Sequence, residues 1–311
     1  METLITFYII ALMYRNSKAS ATELAECFDH LSHDRFTRFL QISCCWPTLL
    51  WQRFSKRAIG QGGQLQLDDT VLDHWGEQIF GVYWVYSSRL QKVVRGMHLV
   101  VLIWTDGKRR VPIGIKIWHK GGPTKVVLAS KLLRWARRLG IKPQYVLMDS
   151  WYSANRLLKQ MHAYGWHFIT RVKKNRKFAG KPLSKQWPHR FGHHQGELAC
   201  GLKVLIVKDG KRYLATSDLS LSLQQVKAIY GERQQIEEFF RVLSDQLRWG
   251  KCPARSQRAQ IAHLHMSLMA YCILEAEAVG QRTTIYKLRR SLFRQEVPRQ
   301  SPLLEPFRAA A

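Results

Sequence analysis

Acidic residues are scarce in this sequence. Its 311 residues include 22 Asp and Glu against 49 Lys and Arg, so the formal net charge is +27. Self-repulsion on this scale destabilises a compact chain unless a polyanion neutralises it. The 46% hydrophobic content and the 11 tryptophans exclude a disordered chain and predict a substantial core. Nucleic acid is therefore the expected partner, ahead of an anionic membrane surface or a ribosomal-type structural role.

The sequence also lacks cysteine pairs of the kind that bind zinc or build a disulfide framework. None of its six cysteines forms a Cys-x-x-Cys pair, and none lies at zinc-finger spacing from a histidine. This cysteine usage fits a protein of the reducing cytoplasm.

Long hydrophobic runs are missing as well. The apolar stretch at residues 4–14 is too short to span a bilayer. It lacks the charge order of a signal peptide, because Glu2 precedes it while Arg15 and Lys18 follow it. We therefore expect a buried helix here and no membrane partner.

Residues 1–60 predict a small helical N-terminal domain. Helix starts are indicated at Ser20 and Ser32, and the second of these short helices carries Arg35 and Arg38. Two short helices with a tight turn and a basic second helix are compatible with a helix-turn-helix that binds DNA. A plain helical cap on the next domain would have the same pattern. A glycine-rich segment before residue 64 indicates the domain boundary.

The rest of the chain predicts an α/β domain in two parts, residues 64–172 and 222–280. Residues 173–221 between them predict a β-rich insertion, and residues 281–311 a C-terminal tail. The order strand, strand, strand, helix, strand, helix, strand is typical of a mixed sheet flanked by helices. These elements are predicted at residues 65–69, 97–105, 110–118, 124–139, 145–148, 154–164 and 166–172.

Two carboxylates lie at the ends of predicted strands, where α/β sheets place their functional sites. Asp69 ends the first strand and Asp149 follows the fourth. Strand alternation favours Asp69 over Asp68, because it places Leu65, Leu67 and Asp69 on one face. Such acids in so basic a chain could simply form ion pairs with Lys or Arg. Carboxylates directed at a DNA-binding surface would instead require a metal ion, since they repel phosphate.

A third carboxylate, Glu237, lies on a helix predicted within residues 223–249. At about 100° per residue, several polar side chains fall within roughly 80° of one another on its face, and Glu238 lies off that face. These side chains are Tyr230, Arg233, Glu237, Arg241, Ser244 and Arg248. Ion pairs at i±4 would explain the arrangement. A metal-binding carboxylate inside an arginine clamp would explain it equally well, because Arg binds phosphate through two hydrogen bonds.

Three motifs carry a family resemblance. They are L-D-D-T at 67–70, V-L-M-D-S-W-Y at 146–152 and Y-x-x-R-x-x-I-E-x-x-F-R-x-L at 230–243. In this order, with an insertion before the third, they resemble the acidic motifs of bacterial insertion-sequence DDE transposases, in the superfamily with a Tyr-Arg-Glu-Lys signature. The resemblance spans residues 65–250. The signature lysine falls at Ser244, and Arg241, Arg248 or Lys251 could supply its charge.

The resemblance implies an RNase H-like fold and a metal-dependent transposase. Its catalytic and metal-binding residues would be Asp69, Asp149 and Glu237, holding two Mg²⁺ ions, with Mn²⁺ as an alternative. Tyr230 and Arg233 would contact DNA near the cut end. The implied partners are double-stranded DNA, as terminal inverted repeats and target DNA, and a second copy in a homodimeric synaptic complex. The implied location is the bacterial cytoplasm, in association with the nucleoid.

Further DNA contacts are predicted from charge and aromatic character. The tryptophan after the second acidic motif could stack an unpaired base, although a buried core tryptophan has the same local pattern. The basic run that opens the insertion is predicted to line the DNA path, and a solvated charge run would look identical. The predicted contacts are Trp151, Lys173, Lys174, Arg176, Arg241 and Arg248.

Three other functions compete with the transposase hypothesis. A non-catalytic DNA-binding derivative is supported by Ser244 in place of the signature lysine. A metal-dependent nuclease without strand transfer would have no use for a free 3′-hydroxyl. A basic RNA-binding structural protein would be suggested by charge alone. Mg²⁺-dependent joining of terminal-repeat DNA to a target plasmid distinguishes all of them.

Overall fold

One long mixed sheet runs through the molecule, with helices on both of its faces. The computed structural model describes residues 1–15, 20–28, 30–74, 76–87, 90–187, 191–298 and 300–305. Its helices are α1 (Glu2–Tyr14), α2 (Ala21–Ala25), α3 (His33–Leu40), α4 (Trp46–Leu50), α5 (Lys56–Ala58), α6 (Lys125–Arg138), α7 (Asn155–Ala163), α8 (Leu223–Gly231), α9 (Gln234–Gln246), α10 (Gln257–Gly280) and α11 (Ile285–Leu292). Its strands are β1 (Gln64–Asp73), β2 (Val82–Ser87), β3 (Lys92–Thr105), β4 (Arg110–Trp118), β5 (Tyr145–Met148), β6 (His167–Val172), β7 (Lys177–Phe178), β8 (Lys181–Pro182), β9 (Phe191–Glu197), β10 (Lys203–Asp209) and β11 (Arg212–Thr216).

The sheet combines parallel and antiparallel pairs around β1. This strand is antiparallel to β3 on one side and parallel to β5 on the other. The strand order is β2-β3-β1-β5-β6-β11-β10-β9, and β4 pairs with β3 in addition. The predicted α/β class, a mixed sheet flanked by helices, is confirmed.

Side chains of β1 alternate between two covered faces of the sheet. Leu65 and Leu67 are fully buried in a cluster with residues of α6 and α7, and we call this side the α6 face. Leu72 packs in a second cluster with Phe239 of α9, and we call that side the α9 face. Because both faces are covered by helices, neighbouring residues of β1 lie in different surroundings.

The N-terminal helices pack into the core on the α9 face. The Tyr8 hydroxyl of α1 lies 2.9 Å from Nδ1 of His263 on α10. Phe36 and Phe39 of α3 are buried in the same cluster. The described part of residues 1–60 contains α1 to α5, and their apolar side chains share a core with the sheet. Among the described helices, none combines the length and apolarity needed to cross a membrane.

The segment predicted as a β-rich insertion, residues 173–221, is continuous with the main sheet. β11 pairs with β6, and β10 and β9 extend the sheet beyond it. β9 and β2 are not predicted from the sequence, because each is an edge strand with exposed side chains and lacks a clear apolar alternation. The insertion therefore widens the sheet on the side of β6.

The segment predicted as a C-terminal tail, residues 281–311, contains α11. Arg289 on this helix is fully buried. Its guanidinium donates to the backbone carbonyl oxygens of Leu12, at 2.7 Å, and of Gln246. A cation is favourable at the carbonyl end of a helix. Arg289 thus joins the ends of α1 and α9.

The helix predicted at residues 223–249 is interrupted between α8 and α9, where i→i−3 hydrogen bonds replace i→i−4 bonds. The side chain of Gln66 on β1 occupies the break. Its Nε2 donates to the carbonyl oxygen of Glu232 at 2.7 Å, and its Oε1 accepts from the backbone N–H of Ile236 at 2.9 Å. The tyrosine and the glutamate of the third motif therefore lie on different helices. The prediction of one continuous helix is wrong, because a partner from the sheet supplies the alternative hydrogen bonds.

Candidate active site

The carboxyl end of β5 lies beside the middle of β1, because β1 continues to Asp73 and does not end at Asp69 as predicted. The two strands are parallel, and Leu67 pairs with Met148 at the last register position. Asp68 and Asp149 are the next residues along each chain, so strand alternation places their side chains on the same face. That face is the α9 face, since Leu67 and Met148 both belong to the core cluster on the α6 face. Asp69 follows the alternation of Leu67 and lies on the α6 face.

Asp69 is held by three side chains. The Tyr152 hydroxyl donates to Oδ1 at 2.7 Å, and Lys125 Nζ donates to Oδ2 at 3.1 Å. Nε2 of His98 is also hydrogen-bonded to Oδ2. Burial would raise the pKa of Asp69, but the His98 hydrogen bond and the Lys125 charge outweigh burial and lower this pKa to about 2. Both oxygens of this carboxylate therefore have partners within the protein.

Asp68 has fewer donors and more acidic neighbours. Its Oδ2 accepts from Arg233 at 2.6 Å, and its Oδ1 accepts from the backbone N–H of Asp69 at 2.9 Å. Burial, together with the carboxylates of Asp69 and Asp149, raises the pKa of Asp68 to about 7 against the opposing charge of Arg233. Carboxylates that repel one another in this way are relieved by a bound cation.

Asp149 starts the turn at Ser150–Tyr152. One of its oxygens accepts from the backbone N–H of Trp151 at 2.8 Å. Burial raises the pKa of Asp149, and the Asp69 carboxylate raises it further. Burial also raises the pKa of Tyr230 on α8, where the charges of Asp149 and Asp68 act in the same direction. Tyr230 therefore lies near both carboxylates of the α9 face.

Glu237 is connected to Asp68 through the side chain of Arg233. Its side chain is 49% exposed and forms an ion pair with Arg233, four residues earlier. The same guanidinium pairs with Asp68, so one cation bridges the glutamate of α9 and the aspartate of β1. Within the described residues, no three His, Cys, Asp or Glu side chains are gathered closely enough to hold a metal ion. Two of the carboxylates, Asp68 and Glu237, are linked by the guanidinium of Arg233.

The two other predicted arginines lie outside this bridge. Arg241 forms an ion pair with Glu238 at 2.7 Å on the surface of α9. Arg248 follows the end of α9 with a left-handed backbone, φ 53°, and so does not continue the helical face. The sequence prediction of one basic face around Glu237 therefore applies to Arg233, whereas the helix end removes Arg248 from that face.

Trp151 is 61% exposed beside Asp149, which excludes a core position. The ammonium groups of Lys125 and Lys173 lie 4.9 and 5.0 Å from the centroid of its ring. Such distances are typical of cation–π contacts. Lys174 is exposed on the same segment, and Arg176 is hydrogen-bonded to Asn155 of α7. The structure thus places an exposed aromatic ring between two lysines next to the carboxylates.

Several side chains at the site are missed by sequence reasoning, namely Gln66, Asp68, His98, Lys125 and Tyr152. Two of them stand inside the acidic motifs, and their place there is a usable signal. The histidine and the lysine come from β3 and α6 and carry no local signal, because only sheet pairing and helix packing bring them to Asp69. The role of Gln66 cannot be predicted from the sequence, because no sequence pattern identifies a buried amide side chain.

Comparisons with known proteins concern the family and the fold of this chain. The model of the family described as the transposase DDE domain matches residues 67–273, more than half of the chain. The model described as the DDE superfamily endonuclease matches residues 1–125. No curated protein matches the chain.

A solved structure, described as the cryo-EM structure of the piggyBac transposase synaptic complex with hairpin DNA, is similar to this chain. The TM-score is 0.56 at 12% identity, over 94% of this chain and 69% of that one. At this identity the likeness concerns the fold. The match of the family model over most of the sheet and its carboxylates shows that the chain belongs to the family of the transposase DDE domain.

Proposed function

We propose that this protein is a DDE transposase that cuts DNA at the ends of an insertion sequence and joins those ends to target DNA. Its family supports a transposase-type function. The observation that carries the proposal is the position of Asp68 and Asp149, each one residue beyond the last parallel pair Leu67↔Met148, with Glu237 linked to Asp68 through Arg233. A bacterial element with the Tyr-Arg-Glu-Lys signature, and a cytoplasmic location at the nucleoid, are proposed from the sequence motifs.

The donor chemistry fits a divalent ion of the magnesium class. Mg²⁺ prefers oxygen ligands and keeps several waters, so a few carboxylates suffice. Burial and mutual repulsion raise the pKa values of Asp68 and Asp149, and a divalent cation beside them would remove this repulsion. Asp68, Asp149 and Glu237 would hold two Mg²⁺ or Mn²⁺ ions. Such ions, when bound, activate the attacking oxygen and stabilise the leaving oxygen at phosphorus.

We assign the first of the three carboxylates to Asp68, whereas the sequence alone predicts Asp69. Asp68 shares the α9 face with Asp149 and is bridged to Glu237, which supports this assignment. Asp69 lies on the other face, and its two oxygens already accept from three side chains. Asparagine variants of the two aspartates distinguish this assignment from the sequence prediction.

The residues around the carboxylates would bind and orient DNA. A phosphate offers Arg233 two acceptor oxygens in the geometry that a guanidinium prefers. A DNA phosphate can therefore replace Glu237 as the ion-pair partner of Arg233. The glutamate is then released to serve as a ligand. Tyr230, beside the two aspartates, would donate its hydroxyl to a phosphate near the cut end. Arg233 thereby couples DNA binding to completion of the metal site.

The DNA path is proposed to continue along the exposed basic side chains near Trp151. Its ring would stack an unpaired base, and the two lysines beside it would neutralise phosphates. Lys174 and Arg176 would extend this path on the segment that follows β6, and Arg241 and Arg248 would contact phosphates beyond α9. The contacts of the lysines and arginines with phosphate are electrostatic, so binding should depend strongly on salt.

The N-terminal helices are proposed as a further DNA-binding element. On α3, Phe36 and Phe39 face the core while Arg35 and Arg38 are exposed, as a recognition helix requires. The piggyBac transposase of the similar structure is in a synaptic complex with hairpin DNA, which supports double-stranded DNA as the partner here. A homodimer is proposed because synapsis brings two DNA ends together.

A strand-transfer assay tests the proposal. Purified protein, labelled terminal-repeat DNA, target plasmid and Mg²⁺ should yield labelled plasmid. Asp149→Asn and Glu237→Gln should each reduce cleavage and joining on the order of 10³-fold. Glu238→Gln is the matched control, since this neighbour pairs with Arg241 on the surface. Cutting without joining would indicate a nuclease, and binding without cutting in Mg²⁺ or Mn²⁺ a DNA-binding derivative; both outcomes reject the proposal.

A further inference from the structure

The hairpin of β2 and β3 projects from one edge of the sheet. The two strands pair from Val82↔Met97 to Ser87↔Lys92. β1 and β4 pair only with the later part of β3, from Gly96 onward. The earlier part of β3 therefore has β2 as its neighbour, and the hairpin extends beyond the rest of the sheet.

The two faces of this hairpin differ in exposure. On one face, Val94 and Ser87 are buried. On the other face, the exposed fraction of the residue is 69% for Trp84, 57% for Tyr86 and 58% for Val93. Such a cluster of exposed aromatic and aliphatic side chains is unusual for a surface without a partner.

The exposed side chains form one contiguous surface. Trp84 is paired with Arg95 and Tyr86 with Val93 across the two strands. The guanidinium of Arg95 lies 5.7 Å from the ring centroid of Trp84, and it is anchored by Glu77 at 2.7 Å. We call these four residues, Trp84, Tyr86, Val93 and Arg95, the hairpin face.

The hairpin face lies on the same side of the sheet as the proposed catalytic carboxylates. Val82 and Met97, which share its strand parity, are buried in the cluster that contains Phe239 of α9. Asp68 pairs with Val101 on β3. Arg95 is six residues from that position, roughly 20 Å along the strand. A DNA strand that leaves the site on the α9 face can reach the hairpin face within about six nucleotides, at about 3.4 Å or more per nucleotide.

We propose that the hairpin face binds unpaired bases of the DNA strand that leaves the active site. Trp84 and Tyr86 are two residues apart on one strand, so their side chains are separated by roughly 7 Å. That spacing is about twice the 3.4 Å rise between bases stacked in a duplex. Two neighbouring bases can therefore use both rings only when the strand is unpaired and its bases are spread.

Charge selects DNA over a second copy of this chain as the occupant. The chain carries a net charge of +27, and the guanidinium of Arg95 lies against the Trp84 ring. A second copy brought against this face would add its own positive charge, whereas a DNA strand neutralises it. Aromatic rings beside basic groups are the usual platform for single strands. The proposal rests on the proposed function in that it requires a DNA substrate.

A binding experiment on the full chain tests the hairpin face. Labelled duplex DNA with an eight-nucleotide single-stranded extension and the matching blunt duplex are titrated in metal-free buffer by fluorescence anisotropy. Trp84→Ala/Tyr86→Ala should weaken binding of the extended DNA about tenfold or more, since stacking contributes roughly 1–3 kcal/mol per base. Binding of the blunt duplex should change less than about twofold. Trp84→Phe should retain most of the affinity, because it keeps an aromatic ring.

Phe191→Ala is the matched control. This aromatic residue is 55% exposed on β9, the strand at the opposite edge of the sheet. It should leave the preference for extended DNA unchanged. Equal weakening of both DNAs by the double variant would overturn the proposal, and so would an unchanged affinity for the extended DNA. A double variant that changes the oligomeric state in sedimentation, at unchanged DNA affinity, would assign the face to self-association instead.

The outcome is separable from that of the proposed function. A wild-type protein that prefers the extended DNA through this face, but cuts no DNA in Mg²⁺, would reject catalysis and keep the hairpin face. A protein that cuts and joins DNA, with an unaltered extension preference in the double variant, would do the reverse.

Discussion

Asp68 and Asp69 are adjacent in the sequence and lie on opposite faces of one strand. Their side chains are buried to the same degree, with exposed fractions of 16% and 15%. Even so, the pKa of Asp68 is raised to about 7 and that of Asp69 is lowered to about 2. Burial cannot explain opposite shifts at equal exposure. The difference comes from partners, because hydrogen-bond donors and a lysine surround Asp69 while other carboxylates crowd Asp68.

The two faces of β1 therefore illustrate two uses of a buried carboxylate. On the α6 face, donors from β3, α6 and the turn after β5 stabilise the Asp69 anion, and the carboxylate contributes to the fold. On the α9 face, burial and the neighbouring carboxylates raise the pKa of Asp68 against the charge of Arg233, so the protein stabilises its ionised form less than that of Asp69. Crowded acids with raised pKa values are more typical of functional sites than of structural ones.

The largest expected difference between Asp68 and Asp69 is in the rate of DNA cleavage. Asp68→Asn removes a proposed metal ligand and should lower Mg²⁺-dependent DNA cleavage on the order of 10³-fold or more. Asp69→Asn alters a residue behind the site and should lower cleavage by only about ten- to a hundredfold. Cleavage of labelled terminal-repeat DNA, resolved on denaturing gels, measures both. A larger loss of cleavage in Asp69→Asn than in Asp68→Asn would assign the first metal ligand to Asp69, as strand parity in the sequence predicts.

Stability in metal-free buffer should respond to pH with opposite signs at the two residues. The folded pKa of Asp68, about 7, lies above its ordinary value of 3.8, so its contribution is present below about pH 4 and lost as pH rises through 7. The folded pKa of Asp69, about 2, lies below 3.8, so its contribution is present above about pH 4 and lost as pH falls through 2. The expected sizes are a few kcal/mol for Asp68 and about 2 kcal/mol for Asp69.

Urea unfolding of the wild type and of the two asparagine variants measures these slopes. The difference in unfolding free energy between wild type and Asp68→Asn should shrink or reverse between pH 4 and 7. The difference between wild type and Asp69→Asn should stay constant over that range. Parallel pH profiles for the two variants would show that the two faces are electrostatically alike, and would contradict the opposite pKa shifts of Asp68 and Asp69.

A smaller effect on stability and cleavage is expected from Gln66, which connects β1 to the break between α8 and α9. Gln66 is fully buried, and its side-chain amide bonds the backbone of Glu232 and Ile236 at the helix break. Gln66→Leu leaves a buried carbonyl and a buried N–H without these partners, which should cost about 1–3 kcal/mol of unfolding free energy. Cleavage should fall severalfold in addition, because the break sets the position of Arg233 and Glu237.

Gln64→Leu is the control for this change. Gln64 lies two residues earlier on the same face and donates to the side chain of Glu232 at 2.8 Å, not to the backbone. It should cost less stability and leave cleavage near the wild-type rate. Equal effects of the two substitutions on cleavage would show that the helix break does not position the site.

Much of the fold can be predicted from the sequence because its signals are local. The apolar alternation of β1 and β4 and the helix cap Thr124 of α6 each depend on neighbours in the chain. The edge strands β2 and β9 escape prediction, since exposed strands lack that alternation. The break between α8 and α9 escapes as well, because the glutamine that occupies it is more than 160 residues away.

The sequence by itself determined that acids lie on one strand and directly after another, and that adjacent acids on β1 point to opposite faces. The second point follows from the two-residue repeat of a strand. It could not determine what would surround each of the two acids, because that repeat is the same for both faces. The tertiary structure decided this by placing β5 in parallel register beside β1, and by returning the chain so that α9 covers the face of Asp68. Long-range packing, which no local pattern encodes, therefore gave the two neighbouring acids their different surroundings.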